Sequence, residues 1–315
     1  TRARMKTHLR LTLLAAFLIG ALAFLALEQP AAVGSLLNVQ RGAKSADQSE
    51  KPSVKRPAKL LGQPDRFTGI GVREPSGVAY HARTNHLFVV GDEGSLVELD
   101  KDARIIKTRA FADNLEDLAV HSPTGNLLLL SEKKSELILY DPAAGQELRR
   151  WKMSRSGLLG QKPGGKNSGF EGLAFREDAT RDGGGIFYLV HQDMPEMVVG
   201  IAIDMAAPSG PLKAQVVSRF VLTEKNTKAA AYVPSLDRLL VLSAKKGIAV
   251  LRMDGTVETE VRLGGDQPEG MCVDADGNLW VAEDRGKALL RFKGGLEALQ
   301  ERLRDTTAPS SPPGP

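Results

Sequence analysis

A four-residue motif recurs five times across the middle of the chain, and it restricts the fold more than any other feature. Each copy begins with a polar residue and ends with Ala or Cys; the copies start at Ser76, Glu116, Glu171, Lys228 and Glu269. The starts therefore lie 40, 55, 57 and 41 residues apart. The two long intervals include Gly- and Pro-rich stretches at 162–165 and 208–211, a composition typical of surface loops. Such repetition indicates an architecture in which every copy is one structural unit.

Each unit predicts the same succession of strands. A turn after the motif leads into a continuous apolar run, which is too short for a stable helix and typical of a strand covered on both faces. Next come a polar turn and a strand in which apolar and polar residues partly alternate. In most units a fourth segment follows on the outer side. The apolar runs lie at 87–90, 127–130, 186–190, 239–242 and 279–282.

Three or four strands in a unit of this size are typical of one blade of a β-propeller, and radial repetition leaves only short sheet edges. The sequence therefore predicts an all-β fold with a single propeller at residues 66–295. Five blades are favoured, and six blades are the alternative. The last unit ends after residues 289–292. Residues 66–72 are predicted to supply its missing outer strand and so to close the ring.

The two ends of the chain differ from this pattern. Four basic residues precede an apolar run at 11–27, which as a helix would extend for roughly 25 Å, close to the thickness of a hydrocarbon core. Residues 1–27 therefore predict a basic N-terminus followed by one transmembrane helix. An uncleaved anchor is favoured over a cleaved signal peptide. The rest of the chain is expected outside the cytoplasm. Residues 28–65 predict a flexible linker, and 296–315 a short helix with a disordered tail.

The excess of positive charge belongs to the N-terminal region. Residues 1–65 contain ten Lys and Arg against four Asp and Glu, a balance of +6, while the whole chain carries +4. The remaining residues therefore carry −2, and a nucleic-acid partner is not expected. The single cysteine, Cys272, lies in an apolar repeat position and is predicted to be a small buried residue.

The repeat also predicts where chemistry would lie. The innermost strand of each blade lines the central channel of a propeller, so equivalent positions form rings. One ring contains the five motif starts, and the turn after each apolar strand contributes a second. A hard cation with oxygen ligands commonly neutralises carboxylates crowded in this way, and calcium fits better than zinc because the five histidines lack ligand spacing and the cysteine is single. The candidate metal ligands are Glu116, Glu171, Glu269, Asp92, Glu132, Asp193 and Glu283.

Two observations leave alternatives open. A carboxylate at the start of an inner strand can instead accept hydrogen bonds from the backbone of the neighbouring blade, which is a structural role. The fourth unit breaks the acidic ring with Lys228 and carries Lys245 and Lys246 in its turn. Lys228 is expected either to pair with a neighbouring carboxylate, which weakens cation binding, or to help hold an anionic ligand such as phosphate.

The ordered set of motifs resembles the SdiA-regulated, YjiK-like propeller family, which includes the calcium-regulated CarP branch. The resemblance rests on the motifs that begin at Glu171 and Glu269, the turns at 91–95 and 282–286, and the N-terminal apolar run, and it covers residues 66–293. It implies a propeller anchored in the bacterial inner membrane, facing the periplasm and linked to calcium handling. It also implies phytase-like hydrolysis of phosphate esters as a further activity in related propellers.

Two functions follow as hypotheses. The first is a membrane-tethered, non-catalytic binding or scaffold module. It would bind calcium, and it would bind a protein partner or a small anionic ligand at the channel mouth. The alternative is a metal-dependent phosphoric ester hydrolase in which a channel-mouth cation activates water. The sequence contains no Gly-x-Ser-x-Gly elbow, and the glycine run at 183–185 precedes a strand and lacks the following Lys and helix of a phosphate-binding loop. The sequence therefore gives an enzyme no independent support.

Overall fold

The computed structural model of the protein describes residues 61–164, 169–223, 226–245 and 247–307. Their strands form five sheets arranged as the blades of a propeller, and every sheet contains four antiparallel strands. A short parallel strand extends the sheet of the second blade on its outer side. The prediction of an all-β propeller with five blades is therefore confirmed.

Within each blade the strands follow one another from the channel outwards. Blade 1 consists of β2 (Pro75–His81), β3 (His86–Gly91), β4 (Ser95–Leu99) and β5 (Ile105–Ala110). Blade 2 consists of β6 (Leu115–His121), β7 (Asn126–Ser131), β8 (Glu136–Asp141) and β9 (Gln146–Lys152), with the additional strand β13 (Gly210–Pro211) beside β9. Blade 3 consists of β10 (Phe170–Glu177), β11 (Gly185–His191), β12 (Met197–Ile203) and β14 (Ala214–Val221).

The last two blades complete the ring. Blade 4 consists of β15 (Thr227–Val233), β16 (Arg238–Ser243), β17 (Gly247–Leu251) and β18 (Val257–Val261). Blade 5 consists of β19 (Pro268–Val273), β20 (Leu279–Glu283), β21 (Ala288–Phe292) and, as its outer strand, β1 (Asp65–Thr68). Two helices, α1 (Arg155–Leu159) and α2 (Gly295–Thr307), and a 3-10 turn at Asp182–Gly184 lie between or after the strands.

Strand β1 closes the ring as the sequence predicts. It pairs antiparallel with β21, so that residues more than 200 positions apart along the chain share one sheet. The Arg291 guanidinium donates to Asp65 Oδ2 at 2.7 Å and lies 5.0 Å from the ring centre of Phe67 and 5.4 Å from that of Trp280. These contacts connect the two ends of the propeller.

The core lies between adjacent blades. The second strand of each blade is covered on both faces, as its continuous apolar run predicts, and all four leucines of 127–130 are fully buried. One cluster joins blades 2 and 3 through Leu130, Trp151 and Phe187. Burial of apolar surface between sheets therefore holds the blades together, and the channel ends are left free to carry polar groups.

The predicted N-terminal anchor lies outside the described residues, and so do most of the predicted linker and the last eight residues. In the described ranges no helix is long and apolar enough to cross a membrane. Helix α2 coincides with the short helix that the sequence predicts, and Leu299 anchors it with a fully buried side chain.

Candidate functional site: an acidic funnel at one end of the channel

Five β-bulges, one in the inner strand of each blade, aim side chains into one end of the channel. In every inner strand the register slips by one position at the second residue, so this residue has no direct partner on the neighbouring strand. A bulge bends the strand and re-aims the side chain of the extra residue. The five extra residues are the motif starts Ser76, Glu116, Glu171, Lys228 and Glu269, and all of them line one cavity. We call this cavity, of about 470 Å³, the acidic funnel.

A narrow waist follows directly below the bulges, because the next residue in most blades is Gly or Ala. A Cβ atom added to Gly270 would lie 2.6 Å from the Cα of Gly77, and one added to Gly172 would lie 2.7 Å from the Cα of Ala229. Only very small residues permit backbones to approach so closely. The waist separates the acidic funnel from an apolar stretch of channel lined by Val78, Leu118 and Leu173, among others.

Blade 2 places Asp117 at the waist, where three other blades have Gly. The carboxyl group is buried, with Oδ1 accepting the backbone N–H of Leu118 and Oδ2 that of Leu173 in the next blade, both at 2.8 Å. Burial raises the pKa of Asp117 well above its usual range, against the effect of the two hydrogen bonds. Asp117 therefore acts as a link between blades 2 and 3.

A second ring of polar residues lines the acidic funnel above the bulges. Each member directly follows the last residue of the second strand in its blade. The members in the lining are Asp92, Glu132, Gln192 and Asp284, and the equivalent position in blade 4 is Ala244. Glu74, Pro75, Lys133 and Gln267 complete the lining.

The structure brings five of the seven predicted ligands together in the acidic funnel and places the other two outside it. Glu116, Glu171, Glu269, Asp92 and Glu132 line the acidic funnel, whereas Asp193 and Glu283 do not. Asp193 accepts the backbone N–H of Met194 at 2.7 Å. Glu283 is buried, accepts the backbone N–H of Asp266 at 2.5 Å, and pairs with Arg66, also at 2.5 Å. In each case the neighbouring residue, Gln192 or Asp284, lines the acidic funnel instead. Successive side chains of a strand point to opposite faces, so a difference of one residue moves a side chain to the other face.

Lys228 supplies a positive charge inside the acidic funnel. Its Nζ lies 2.9 Å from Glu269 Oε2 and 3.4 Å from Glu171 Oε2. With the Gln192 amide in its favourable orientation, Lys228 also donates to the amide oxygen at 3.2 Å, and the amide nitrogen donates to Glu171 Oε1 at 2.7 Å. Burial disfavours the ammonium, but the carboxylates of Glu171 and Glu269 outweigh it and raise the pKa of Lys228. Of the two roles that the sequence leaves open, pairing with carboxylates is therefore the one observed.

The carboxyl groups in the acidic funnel hold protons more tightly than usual. Burial, reinforced by the charges of Glu171, Asp92 and Glu132, raises the pKa of Glu116 to about 9. Burial also raises the pKa of Glu171 to about 7, although Lys228 opposes the shift. The pKa values of Asp92 and Glu269 rise as well, again chiefly through burial. The positive charge of Lys228 therefore does not offset the cost of burying these carboxylates side by side.

This arrangement does not present a preformed calcium site. Across the described ranges, no three His, Cys, Asp or Glu side chains are placed so that they could hold a metal ion. Glu171 and Glu269 turn to Lys228, and a lysine ammonium offers no lone pair to a metal. Of the five predicted ligands in the acidic funnel, Glu116, Asp92 and Glu132 form no ion pair with Lys228 and could approach a cation without displacing it.

Two of the histidines have a structural role that the sequence did not predict. His81 Nε2 lies 2.9 Å from the carbonyl oxygen of Gly125 in the next blade, and His121 Nε2 lies 2.7 Å from that of Gly183. Both histidines are the last residue of an inner strand. His81 and His121 occupy equivalent positions of the repeat, and this equivalence is the sequence signal for their shared contact with the next blade.

Solved structures of low sequence identity share the fold. Glutaminyl cyclase from Myxococcus xanthus superposes with a TM-score of 0.51 at 12% identity, covering 73% of this chain and 97% of that one. A Bacteroides thetaiotaomicron protein of unknown function gives 0.48 at 11% identity, with 72% and 69% covered, and a streptogramin B lyase gives 0.39 at 12%, with 69% and 64% covered. The superposition with the Myxococcus xanthus protein supports the propeller fold, and at this sequence identity it shows nothing about activity.

The comparison of sequences is more specific. Residues 66–285 match the family model described as SdiA-regulated. The matched range includes both rings of residues that line the acidic funnel. No curated protein matches the chain significantly.

Proposed function

The chain belongs to the SdiA-regulated family, and we propose that in this member the propeller is a non-catalytic binding module whose acidic funnel captures a positively charged ligand. The observation that carries this proposal is the imbalance of charge in one cavity. Seven carboxyl groups line the acidic funnel against the two lysines Lys133 and Lys228. A bound cation would offset the burial and the mutual repulsion that together raise the pKa values of these carboxyl groups.

The contacts of Lys228 support an ammonium as one form of this cation. Two carboxylates and one amide already hold an alkylammonium within the acidic funnel. Glu116, Asp92 and Glu132 offer further acceptors beside it. A hard divalent ion such as calcium, which the family resemblance implies, would bind the same carboxylate oxygens once they converge. Both ligands share positive charge, and the experiment below separates them.

The test is a titration of the full-length protein with CaCl₂, MgCl₂ or spermidine at pH 8, followed by melting temperature and by isothermal titration calorimetry. We expect at least one cation to raise the melting temperature in wild type, because a ligand that binds only the folded state stabilises it. The rise should disappear in the Glu116→Gln/Asp92→Asn double variant. The Glu301→Gln variant, on the exposed side of α2, should respond like wild type.

The three ligands give separate outcomes. A response to calcium alone would identify a metal-binding module, and a response to spermidine alone would identify an ammonium-binding one. If none of them shifts the melting temperature at millimolar concentration, or if the double variant responds like wild type, the proposal is wrong.

The other functional hypotheses stay predictions. Cation-dependent release of phosphate from a phosphorylated substrate, lost in Glu171→Gln, is the measurement for the hydrolase alternative. Membrane anchoring through residues 1–27 and exposure to the periplasm are tested by cell fractionation and by protease accessibility in spheroplasts.

A further inference from the structure

The opposite end of the channel opens into a second cavity, of about 400 Å³, which we call the basal cavity. Its walls come from the residue that directly follows the repeated motif in four blades: Tyr80, Val120, Phe175 and Tyr232. The same four side chains also line the apolar stretch of channel below the waist. The floor of the basal cavity is therefore apolar, in contrast to the acidic funnel.

The three aromatic side chains of the basal cavity are held in place. The hydroxyls of Tyr80 and Tyr232 donate to the side chains of Asn85 and Asp237, each at 2.9 Å. The Arg176 guanidinium lies 5.8 Å from the ring centre of Tyr232. Rings fixed in this way present preorganised faces and edges to a ligand.

The ring of Phe175 is held by aromatic neighbours. It packs against His121 and Phe187, with ring centres 5.0 and 4.7 Å apart. Aromatic rings prefer offset or edge-to-face partners at separations of this kind. A flat ring that enters the basal cavity therefore meets aromatic surface from blades 1, 3 and 4.

The rim of the basal cavity carries one charge of each sign. Arg83 donates to the carbonyl oxygens of Ser122, Pro123 and Thr124 at 2.7 to 2.9 Å. Glu177 accepts the hydroxyl of the same Ser122 at 2.6 Å. Both side chains are exposed. The turn that begins at Ser122 therefore places a guanidinium and a carboxylate on one side of the aromatic walls.

We propose that the basal cavity binds a small aromatic zwitterion, that is, a molecule with one aromatic ring and a head that carries both an ammonium and a carboxylate. The ring fits the apolar floor and the walls formed by Tyr80, Phe175 and Tyr232, while Glu177 receives the ammonium and Arg83 the carboxylate. A mainly apolar cavity with a few fixed polar groups is the usual form of a small-molecule site. This site lies at the other end of the channel from the acidic funnel and does not depend on the function proposed there.

The probe is L-phenylalanine, measured by saturation-transfer NMR and calorimetry on the full-length protein, with phenethylamine and L-alanine as comparisons. We expect L-phenylalanine to bind, phenethylamine to bind at least fivefold more weakly because it lacks the carboxylate, and L-alanine to give no signal. Glu177→Gln should weaken L-phenylalanine at least fivefold, and Val120→Trp should abolish binding by filling the basal cavity. Lys107→Gln, on the exposed outer strand of blade 1, is the matched control and should bind like wild type.

Three results would overturn the proposal. One is the absence of an L-phenylalanine signal at 5 mM in wild type. Another is equal binding of L-phenylalanine and phenethylamine, since the head would then not be recognised. The third is binding that survives Glu177→Gln and Val120→Trp but disappears in Glu116→Gln, since the ligand would then occupy the acidic funnel. A melting curve for each variant confirms that it is folded, and Glu177→Gln keeps the test valid if Val120→Trp does not fold.

Discussion

The ammonium of Lys228 lies 2.9 Å from Oε2 of Glu269, and both groups occur at the same position of the repeat in adjacent blades. The β-bulge that aims a carboxylate into the acidic funnel in three blades therefore aims an amine there in the fourth. A cation is thus part of the chain itself. It neutralises part of the cluster and leaves the carboxylates of blades 1 and 2 without an ion pair to Lys228.

Replacement of this lysine should be costly for stability. In Lys228→Met, Glu171 and Glu269 lose their buried partner, and we expect the free energy of unfolding to fall by about 3 kcal/mol, as when one member of a buried ion pair is removed. Urea denaturation at pH 7 measures the change. Lys133→Met, at an exposed position on the rim, should change it by less than about 0.5 kcal/mol. Equal effects of the two substitutions would show that the observed ion pairs do not stabilise the fold.

The raised pKa values of the acidic funnel predict an unusual pH dependence. Glu116 has an ordinary pKa of 4.5 and a folded-state pKa of about 9, so the folded protein binds this proton more tightly than the unfolded chain does. The contribution to stability is complete below the unfolded-state pKa and is lost as the pH rises towards 9. We expect the free energy of unfolding, measured in urea with chelator present, to fall between pH 6 and pH 9, and Glu116→Gln to flatten this slope. The same slope in the variant would contradict the assignment.

Much of the fold was predictable because it repeats. The apolar runs that became β3, β7, β11, β16 and β20 are buried on both faces, and a strand covered on both faces requires such a run. The closing strand was predictable because the last unit was one strand short, and β1 pairs with β21 at that edge. Residue-level pairing was not predictable, since β-bulges shift the register by one and composition does not show them.

The same one-residue uncertainty limits what the sequence predicts about the lining of the acidic funnel. Glu116 and Glu171 were placed correctly because their motif marks the bulge directly. Charge within a variable turn favours Asp193 and Glu283. The position that lines the acidic funnel is instead the first residue after the strand, which is Gln192 in blade 3 and Asp284 in blade 5. Strict alignment of the strand ends across the five units would have found both. The hydrogen bond that joins Gln192 to Glu171 depends on tertiary packing, which no local pattern reveals.

The buried carboxyl group at the waist gives a sharp test of the contact between blades 2 and 3. Asp117 accepts two backbone N–H groups, one on each of its oxygens. Asp117→Asn replaces one acceptor with an amide donor that faces a backbone donor, so we expect the free energy of unfolding to fall by about 1 to 3 kcal/mol. Asp276→Asn, at an exposed turn, should have little effect. If both asparagine variants are equally stable, the two hydrogen bonds do not link the blades.

Ring closure should depend on Arg66. This residue, in β1, pairs with the buried Glu283 at 2.5 Å and donates to the carbonyl oxygen of Gly286 at 2.8 Å. Arg66→Met would leave the carboxylate of Glu283 without its partner, and we expect a loss of about 2 kcal/mol, less than for a fully buried pair because Arg66 is 45% exposed. The double variant Arg66→Met/Glu283→Met should recover part of this loss, since neither charge then remains unpaired. Urea denaturation of the wild type, the two single variants and the double variant completes the cycle, and additive effects would mean that Arg66 and Glu283 do not interact.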